Sequence, residues 1–274
     1  MVENMTETVT FFNTGATFDD DHGCPILGED DTVTDATRFL FDFMNEKTWP
    51  SQAVNITNGS SFISLVESGN PAIVELVGAS TMTYSGKGIS AQSVSATVYA
   101  KATLPEEAKL PRTAPGLLFT IWIRHKISSL TSGVAAIAGY SYQTGAGNQY
   151  SLSYDFAAKT YNLRANGINH TINASAWTDG QLVQLAVDWN SVDGVSYAWV
   201  NGALHDTLTG SGTIGNLKQP TDVNAGAYPG MFLLGGFSGL WLGEIVRIWL
   251  DKSANTDHES KVSNDYAFNT TSLK

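Results

Sequence analysis

The sequence predicts an all-β protein, an antiparallel β-sandwich, on three observations. At least ten segments alternate apolar and polar side chains with period two, the pattern of strands that bury one face. Turn signals such as Asn70-Pro71, Asp193-Gly194 and Asn201-Gly202 separate these segments at intervals of roughly eight to twelve residues. No stretch sustains the period of an amphipathic helix.

The elements follow in chain order. Residues 1–37 are acidic and weakly patterned, with one short strand expected over 8–12. The apolar run 38–44 is read as the first core strand, followed by Trp49-Pro50, where the residue before proline is held extended. Strands are expected over 61–67, 72–77 and 94–103; in the last, Val94, Ala96, Val98 and Ala100 oppose Ser95, Thr97, Tyr99 and Lys101. The Pro-rich stretch 105–115 is a loop, opened by one helical turn with Pro105 at its first position. Over 117–125, Phe119, Ile121 and Ile123 share one face while Thr120, Trp122 and Arg124 share the other. Strands over 134–142, 150–156, 160–166 and 170–174 come next. They lead to a hairpin over 180–202, in which Val183, Leu185, Val187 and Trp189 face one way and Asp193-Gly194 supplies the turn. A Gly- and Thr-rich loop over 208–228 precedes the last strands, 231–234 and 241–250, and a polar tail with a short helix around 258–262. The expected domain organisation is an acidic arm at 1–37, one sandwich domain at 38–265 and a tail at 266–274.

Composition narrows the function. With 274 residues, 42% hydrophobic and 11% aromatic, the chain can fill one large core. Only 15% of residues are charged, so hydroxyls and amides dominate the surface. A net charge of −11 without a basic cluster opposes nucleic-acid binding and docking on anionic membranes. The lone Cys24 excludes an intrachain disulfide and a multi-cysteine zinc site. The first residues lack a basic and apolar leader, so export through a Sec signal is not expected. No run of eighteen apolar residues occurs, so membrane insertion by a helix is not expected either.

Five motifs in order carry a family resemblance: Phe-Thr-Ile-Trp-Ile-Arg at 119–124; Tyr-Ser-Leu-Ser-Tyr at 150–154 with Tyr-Asn-Leu-Arg at 161–164; the run from Trp177 to Val187; Tyr-Ala-Trp-Val-Asn-Gly at 197–202; and Gly-Glu-Ile-Val-Arg-Ile-Trp at 243–249. Together they resemble the laminin G-like, concanavalin A-like jelly-roll superfamily over about residues 115–265, and over 38–104 in outline. The resemblance implies a jelly roll. It leaves function open, since that superfamily hosts lectins, adhesion modules, phage tail and capsid appendages, glucanases and polysaccharide lyases.

A glycosidase on this fold needs two nearby carboxylates. Here Glu67, Glu75, Asp155, Asp188 and Glu244 each stand alone on a strand, and His125, His170, His205 and Tyr228 show no convergent spacing as base and acid. The expected activity is therefore non-enzymatic glycan binding. Trp122 would stack a sugar ring, with Arg124, Tyr154, Arg164, Asn166 and Trp199 as companions. Trp49, Trp177 and Trp249 are expected in the core, and Trp241 at a loop tip or over the core. No cofactor is required. Calcium is the one candidate ion, with Asp19, Asp20, Asp21, Asp188 and Asp193 as available donors. The expected partners are a polysaccharide or surface glycan, other virion proteins, or a second copy of the chain in a homo-oligomer. The expected setting is a virion or extracellular surface. The alternatives are a ligand-free capsid or tail decoration protein and a polysaccharide lyase or hydrolase.

Overall fold

The computed structural model describes residues 10–11, 16–18, 25–26, 32–66, 70–92, 98–127, 132–141, 149–209, 217, 230–233, 241–253 and 257–273. The expected features at Asp19, Asp20, Asp21, Cys24, Glu67, residues 93–97 and Tyr228 lie outside them. The chain forms two compact units, Met1–Asp35 and Ala36–Lys274. The first holds three short antiparallel strands, β1 (Thr10–Phe11), β2 (Ala16–Phe18) and β3 (Pro25–Ile26), in that spatial order.

The second unit is an antiparallel β-sandwich. It begins with β4 (Thr37–Asp42), β5 (Asn55–Ile56), β6 (Ser61–Phe62), β7 (Ala72–Leu76), β8 (Thr81–Tyr84), β9 (Ile89–Gln92) and β10 (Ala100–Thr103). A single 3₁₀ turn at Glu106–Ala108 follows Pro105, as the Pro-rich stretch predicts. Then come β11 (Gly116–Arg124), β12 (Val134–Ser141), β13 (Tyr150–Asp155), β14 (Thr160–Ala165), β15 (Ile168–Asn173), β16 (Leu182–Asn190), β17 (Val195–Val200), β18 (Ala203–Thr209), β19 (Gly230–Leu233) and β20 (Glu244–Asp251), and finally helix α1 (His258–Ser272). Sheet I has the order β15-β14-β13-β12-β19-β10-β7-β6. Sheet II has the order β18-β17-β16-β11-β20-β9-β8-β5, with β4 also paired to β20.

The alternation fixes which side chains meet between the sheets. Phe119, Ile121 and Ile123 of β11 and Val183, Leu185 and Val187 of β16 are fully buried and share one core with Tyr150, Leu152, Tyr161 and Leu163 of sheet I. Phe119 and Tyr150 bring their ring centroids to 4.9 Å across the two layers. The hairpin turn forms as expected: Gly194 takes φ 67°, a left-handed conformation that glycine adopts freely, and Asp193 accepts a hydrogen bond from the Val195 N–H at 3.0 Å.

Two expectations need correction. The polar tail is not a tail, because α1 runs through residues 265 and 266 without a break and packs on sheet II. The short strand expected over 8–12 is present as β1, but the remainder of 1–37, expected as an arm or loop, also contributes β2 and β3 to a small sheet. Among the described residues no helix is long and apolar enough to cross a membrane.

Candidate functional site

The structure does not gather the six expected sugar-binding residues into one groove. Trp122 and Trp199 lie on the outer side of sheet II, 1% and 3% exposed. Helix α1 covers Trp122. The Trp122 Nε1–H donates to Asp265 Oδ2 at 2.8 Å, and its ring stacks on Tyr266 with centroids 5.7 Å apart and planes 9° from parallel. Arg124 beside it donates to the Leu273 carbonyl and lies 3.8 Å from Glu244. Trp122, sealed under the helix, cannot offer its face to a sugar, while Trp199 is buried beside Tyr197 and Arg124 is engaged by the end of the helix, so the three form no open sugar platform in this structure. The position of Gly202, in the turn after β17, follows from the same packing: a Cβ there would come within 3.0 Å of the Tyr266 side chain.

Beneath α1 lies a charged network. Arg247, fully buried, is 3.1 Å from Asp42 and 3.3 Å from Asp265. Gln184 donates to Asp265 at 2.7 Å and to the Val262 carbonyl at 3.0 Å. At the start of the helix His258 Nδ1 meets Asp188 Oδ2 at 2.9 Å, and its Nε2 meets Ser253 Oγ at 2.8 Å. In the tautomer that donates Nδ1–H to Asp188, Nε2 accepts from the Ser253 hydroxyl. That is the hydrogen-bond order of a nucleophile, base and orienting carboxylate. Sequence reasoning missed it because the three residues come from a strand, a loop and a helix with no shared motif.

Tyr154, Arg164 and Asn166 belong to sheet I but point to different places. Asn166, at φ 48°, forms the tight β14–β15 turn with Gly167. Arg164 and Tyr161 stand on opposite faces of β14, and Arg164 faces outward. Tyr154 faces inward and forms part of a cleft at one end of the sandwich.

That cleft encloses about 390 Å³, open space included, and is lined by His125, Ile127, Tyr154, Phe156, Lys159, Ala174, Ser175 and Trp177. Its floor is aromatic. Trp177 stacks on Tyr161 with centroids 5.4 Å apart, and His125 stands edge-on to Trp177 at 5.6 Å. Trp177, expected in the core, is only half-buried, and Ile127 is 56% exposed. A hydrogen-bond chain stiffens the floor: Trp241 Nε1–H donates to Tyr161 Oη at 3.2 Å, and Tyr161 Oη lies 2.9 Å from His125 Nδ1. Since indole only donates, both contacts are satisfied when the tyrosine hydroxyl donates to Nδ1, which puts the proton of the neutral imidazole on Nε2. Burial favours that neutral ring and lowers the His125 pKa, with nearby Asp179 pulling the other way. Burial likewise drives the Tyr161 hydroxyl well above its ordinary range. Among the described residues, no carboxylate lines the cleft.

The remaining expected acid, base and metal residues are otherwise engaged. Glu75 meets Tyr99 at 2.9 Å and Lys101 at 3.1 Å. Asp155 caps the β13–β14 turn by accepting from the Ala157 and Ala158 N–H groups. His170 bridges the sheets between Ser196 at 2.9 Å and Asp206 at 3.3 Å, while His205 is exposed. Asp188 also accepts from the Tyr197 N–H at 2.8 Å. Among the described residues no three His, Cys, Asp or Glu side chains form a group able to hold a metal.

No family model and no reviewed protein sequence matches the chain. Solved structures do resemble it. The Botulinum neurotoxin serotype D binding domain superposes with a TM-score of 0.54 at 10% identity, over 86% of this chain and 52% of that one. A Trypanosoma rangeli sialidase, solved with a difluorinated nononic acid, gives 0.53 at 12% identity, over 92% of this chain and 35% of its own. Domain 4 of AbnA, a GH43 extracellular arabinanase from Geobacillus stearothermophilus solved with arabinotriose, gives 0.50 at 12% identity, over 83% and 97%. The chain thus spans 35% of the sialidase and 52% of the toxin domain, and at such identities the likeness establishes the fold alone: an antiparallel β-sandwich.

Proposed function

We propose that this chain is a non-catalytic glycan-binding β-sandwich of the concanavalin A-like, laminin G-like kind, and that it takes sugar at the cleft beside Trp177. The observation that carries this reading is the half-buried Trp177 face beside Ser175 and Lys159, over a floor locked by the Trp241–Tyr161–His125 chain. An aromatic face packs against sugar C–H groups, while a hydroxyl and an ammonium at the rim reach ring oxygens. The described lining of the cleft brings no pair of carboxylates of the kind a glycosidase uses, which supports a binding role. Two fold neighbours support the reading: one is an arabinanase domain in complex with arabinotriose, and the other is botulinum neurotoxin type C, whose cell entry depends on interaction with two ganglioside molecules. A virion or extracellular surface, with the chain as a homo-oligomer or docked on other surface proteins, is the setting within this proposal that suits a chain only 15% of whose residues are charged.

A glycan array probed with wild-type protein and Trp177→Ala tests it. Saturable binding to at least one glycan, weakened about tenfold or more in the variant, is expected; tenfold corresponds to roughly 1.4 kcal/mol. No retained glycan, or equal binding by the variant, overturns the proposal and favours a structural decoration role.

One observation favours a second reading, as a hydrolase: the Ser253–His258–Asp188 order. Labelling by a fluorophosphonate that is lost in Ser253→Ala would support it. An unlabelled wild-type protein would leave the triad as the anchor of the helix start.

A further inference from the structure

We infer that the outer face of sheet I carries a second binding site, distinct from the Trp177 cleft, that takes the carboxylate of an acidic sugar on Arg164. Cross-strand register builds it. Ser151, Arg164 and Asn169 stand side by side on β13, β14 and β15, and Ser153, Asn162 and Thr171 form the adjoining row. All six share the face opposite the core residues Leu152, Tyr161 and Leu163.

Three groups on this face are left over. Arg164 is half-buried, yet among the described residues no acid pairs with it, in a chain whose carboxylates outnumber its lysines and arginines 26 to 15. Ser153 is 7% exposed, and its Oγ is buried without a hydrogen-bond partner. Asn169 uses its Nδ2 on Asn162 and Thr171, both at 3.2 Å, and leaves Oδ1 buried and unpartnered. Burying a guanidinium without an anion, and hydroxyl and amide oxygens without partners, is costly unless a ligand restores what water would have supplied. Burial also lowers the Arg164 pKa with no neighbouring charge to offset it.

The leftover groups define the ligand. A guanidinium presents a planar fork of donors that matches a carboxylate in bidentate fashion. Asn169 Oδ1 is an acceptor, so the ligand must also bring O–H donors, and the Ser153 hydroxyl takes either role. A bare phosphate or acetate offers the anion alone; a uronic or sialic acid offers a carboxylate and ring hydroxyls within one residue. The saccharide half of this inference rests on the glycan-binding reading, whereas the carboxylate half rests on Arg164 itself.

The test is calorimetric titration of the full chain with trigalacturonate and with 3′-sialyllactose, each as free acid and as methyl ester, using wild-type protein, Arg164→Gln, Ser153→Val and Trp177→Ala. At least one free acid should bind saturably. Its affinity should fall tenfold or more on esterification and in Arg164→Gln, fall less in Ser153→Val, and hold in Trp177→Ala. The two acids separate a uronate source from a sialate one. The inference is overturned if neither acid binds, if acid and ester bind equally, or if Arg164→Gln binds like wild type. Neutral glycans bound through Trp177 with no acid bound would sink this inference and leave the proposed function standing. The reverse pattern would do the opposite.

Discussion

Beneath α1, the outer face of sheet II buries Arg247 between Asp42 and Asp265, Asp188 against His258, and Asp251 against Lys261. The outer face of sheet I holds Arg164 half-buried with no such acid among the described residues. The neutral leftovers do not separate the faces, because Thr120 Oγ1, Trp199 Nε1 and Trp249 Nε1 of sheet II are also buried without partners. Charge alone does not separate them either, because Arg38, on β4 of sheet II, is half-buried with its Nε unpartnered and no acid paired to it among the described residues. What sets Arg164 apart is the cluster around it, since it shares its face with the unpartnered Ser153 Oγ and Asn169 Oδ1. The contrast also shows why a strand tryptophan is a poor marker of a ligand face: Trp122 is covered, whereas the half-buried Trp177 lines a cleft from the loop before β16.

Removing α1 is the harshest way to break this comparison. Truncation after residue 257 would bare Trp122, Val246, Leu182 and Met44 and leave Arg247 with one of its two acids. Loss of cooperative urea unfolding, read by circular dichroism, is expected. A truncated chain that unfolds like wild type would show that the helix is dispensable cover. Asp265→Ala, a milder cut at the same spot, orphans Trp122 Nε1, leaves Gln184 Nε2 with only the Val262 carbonyl of its two acceptors and strands part of the Arg247 charge. A destabilisation of about 3–5 kcal/mol in urea is expected from breaking a buried pair.

Acid sharpens the comparison next. His125 and His170 both have pKa values lowered by burial, so the unfolded chain binds more protons than the folded one between the depressed folded values and the ordinary value near 6.5. Stability from these two rings is therefore complete above about pH 6.5 and is lost as pH falls below it. Melting temperature measured from pH 8 to pH 5 should decline over that window, and replacing both histidines with Gln should flatten it. The smallest effect belongs to Arg164→Leu, which removes a charge that no acid pairs among the described residues. Its unfolding free energy should stay within about 0.5 kcal/mol of wild type or rise slightly, an outcome opposite in sign to that of Asp265→Ala.

Much of the fold was legible because period-two alternation is a direct record of which side chains enter the core. Phe119, Ile121 and Ile123 illustrate it, as do Val183, Leu185 and Val187. Alternation does not record what covers the other face. The inner side of α1 carries His258, Val262, Asp265 and Asn269, all buried, at helical spacing. Three of the four are polar: His258 and Asp265 dock on the sheet by hydrogen bonds and Asn269 braces Asp265, so a search for an apolar stripe passes over them and Trp122 reads as exposed. The sequence offers Arg164 as a sugar-binding companion of Trp122; the two lie on different sheets, and only the strand register shows that Ser151 and Asn169, rather than an acid, stand beside Arg164. Trp177 was assigned to the core because an indole flanked by strands usually belongs there; its half-open position depends on the end of the sandwich, which no local pattern encodes.

Hydrogen–deuterium exchange of the whole chain, with and without a glycan selected on the array, tests the account most directly. Protection confined to residues 154–177 on ligand addition, with β11, β17 and α1 unchanged, is the predicted result. Protection centred on Trp122, Trp199 or α1 would contradict it.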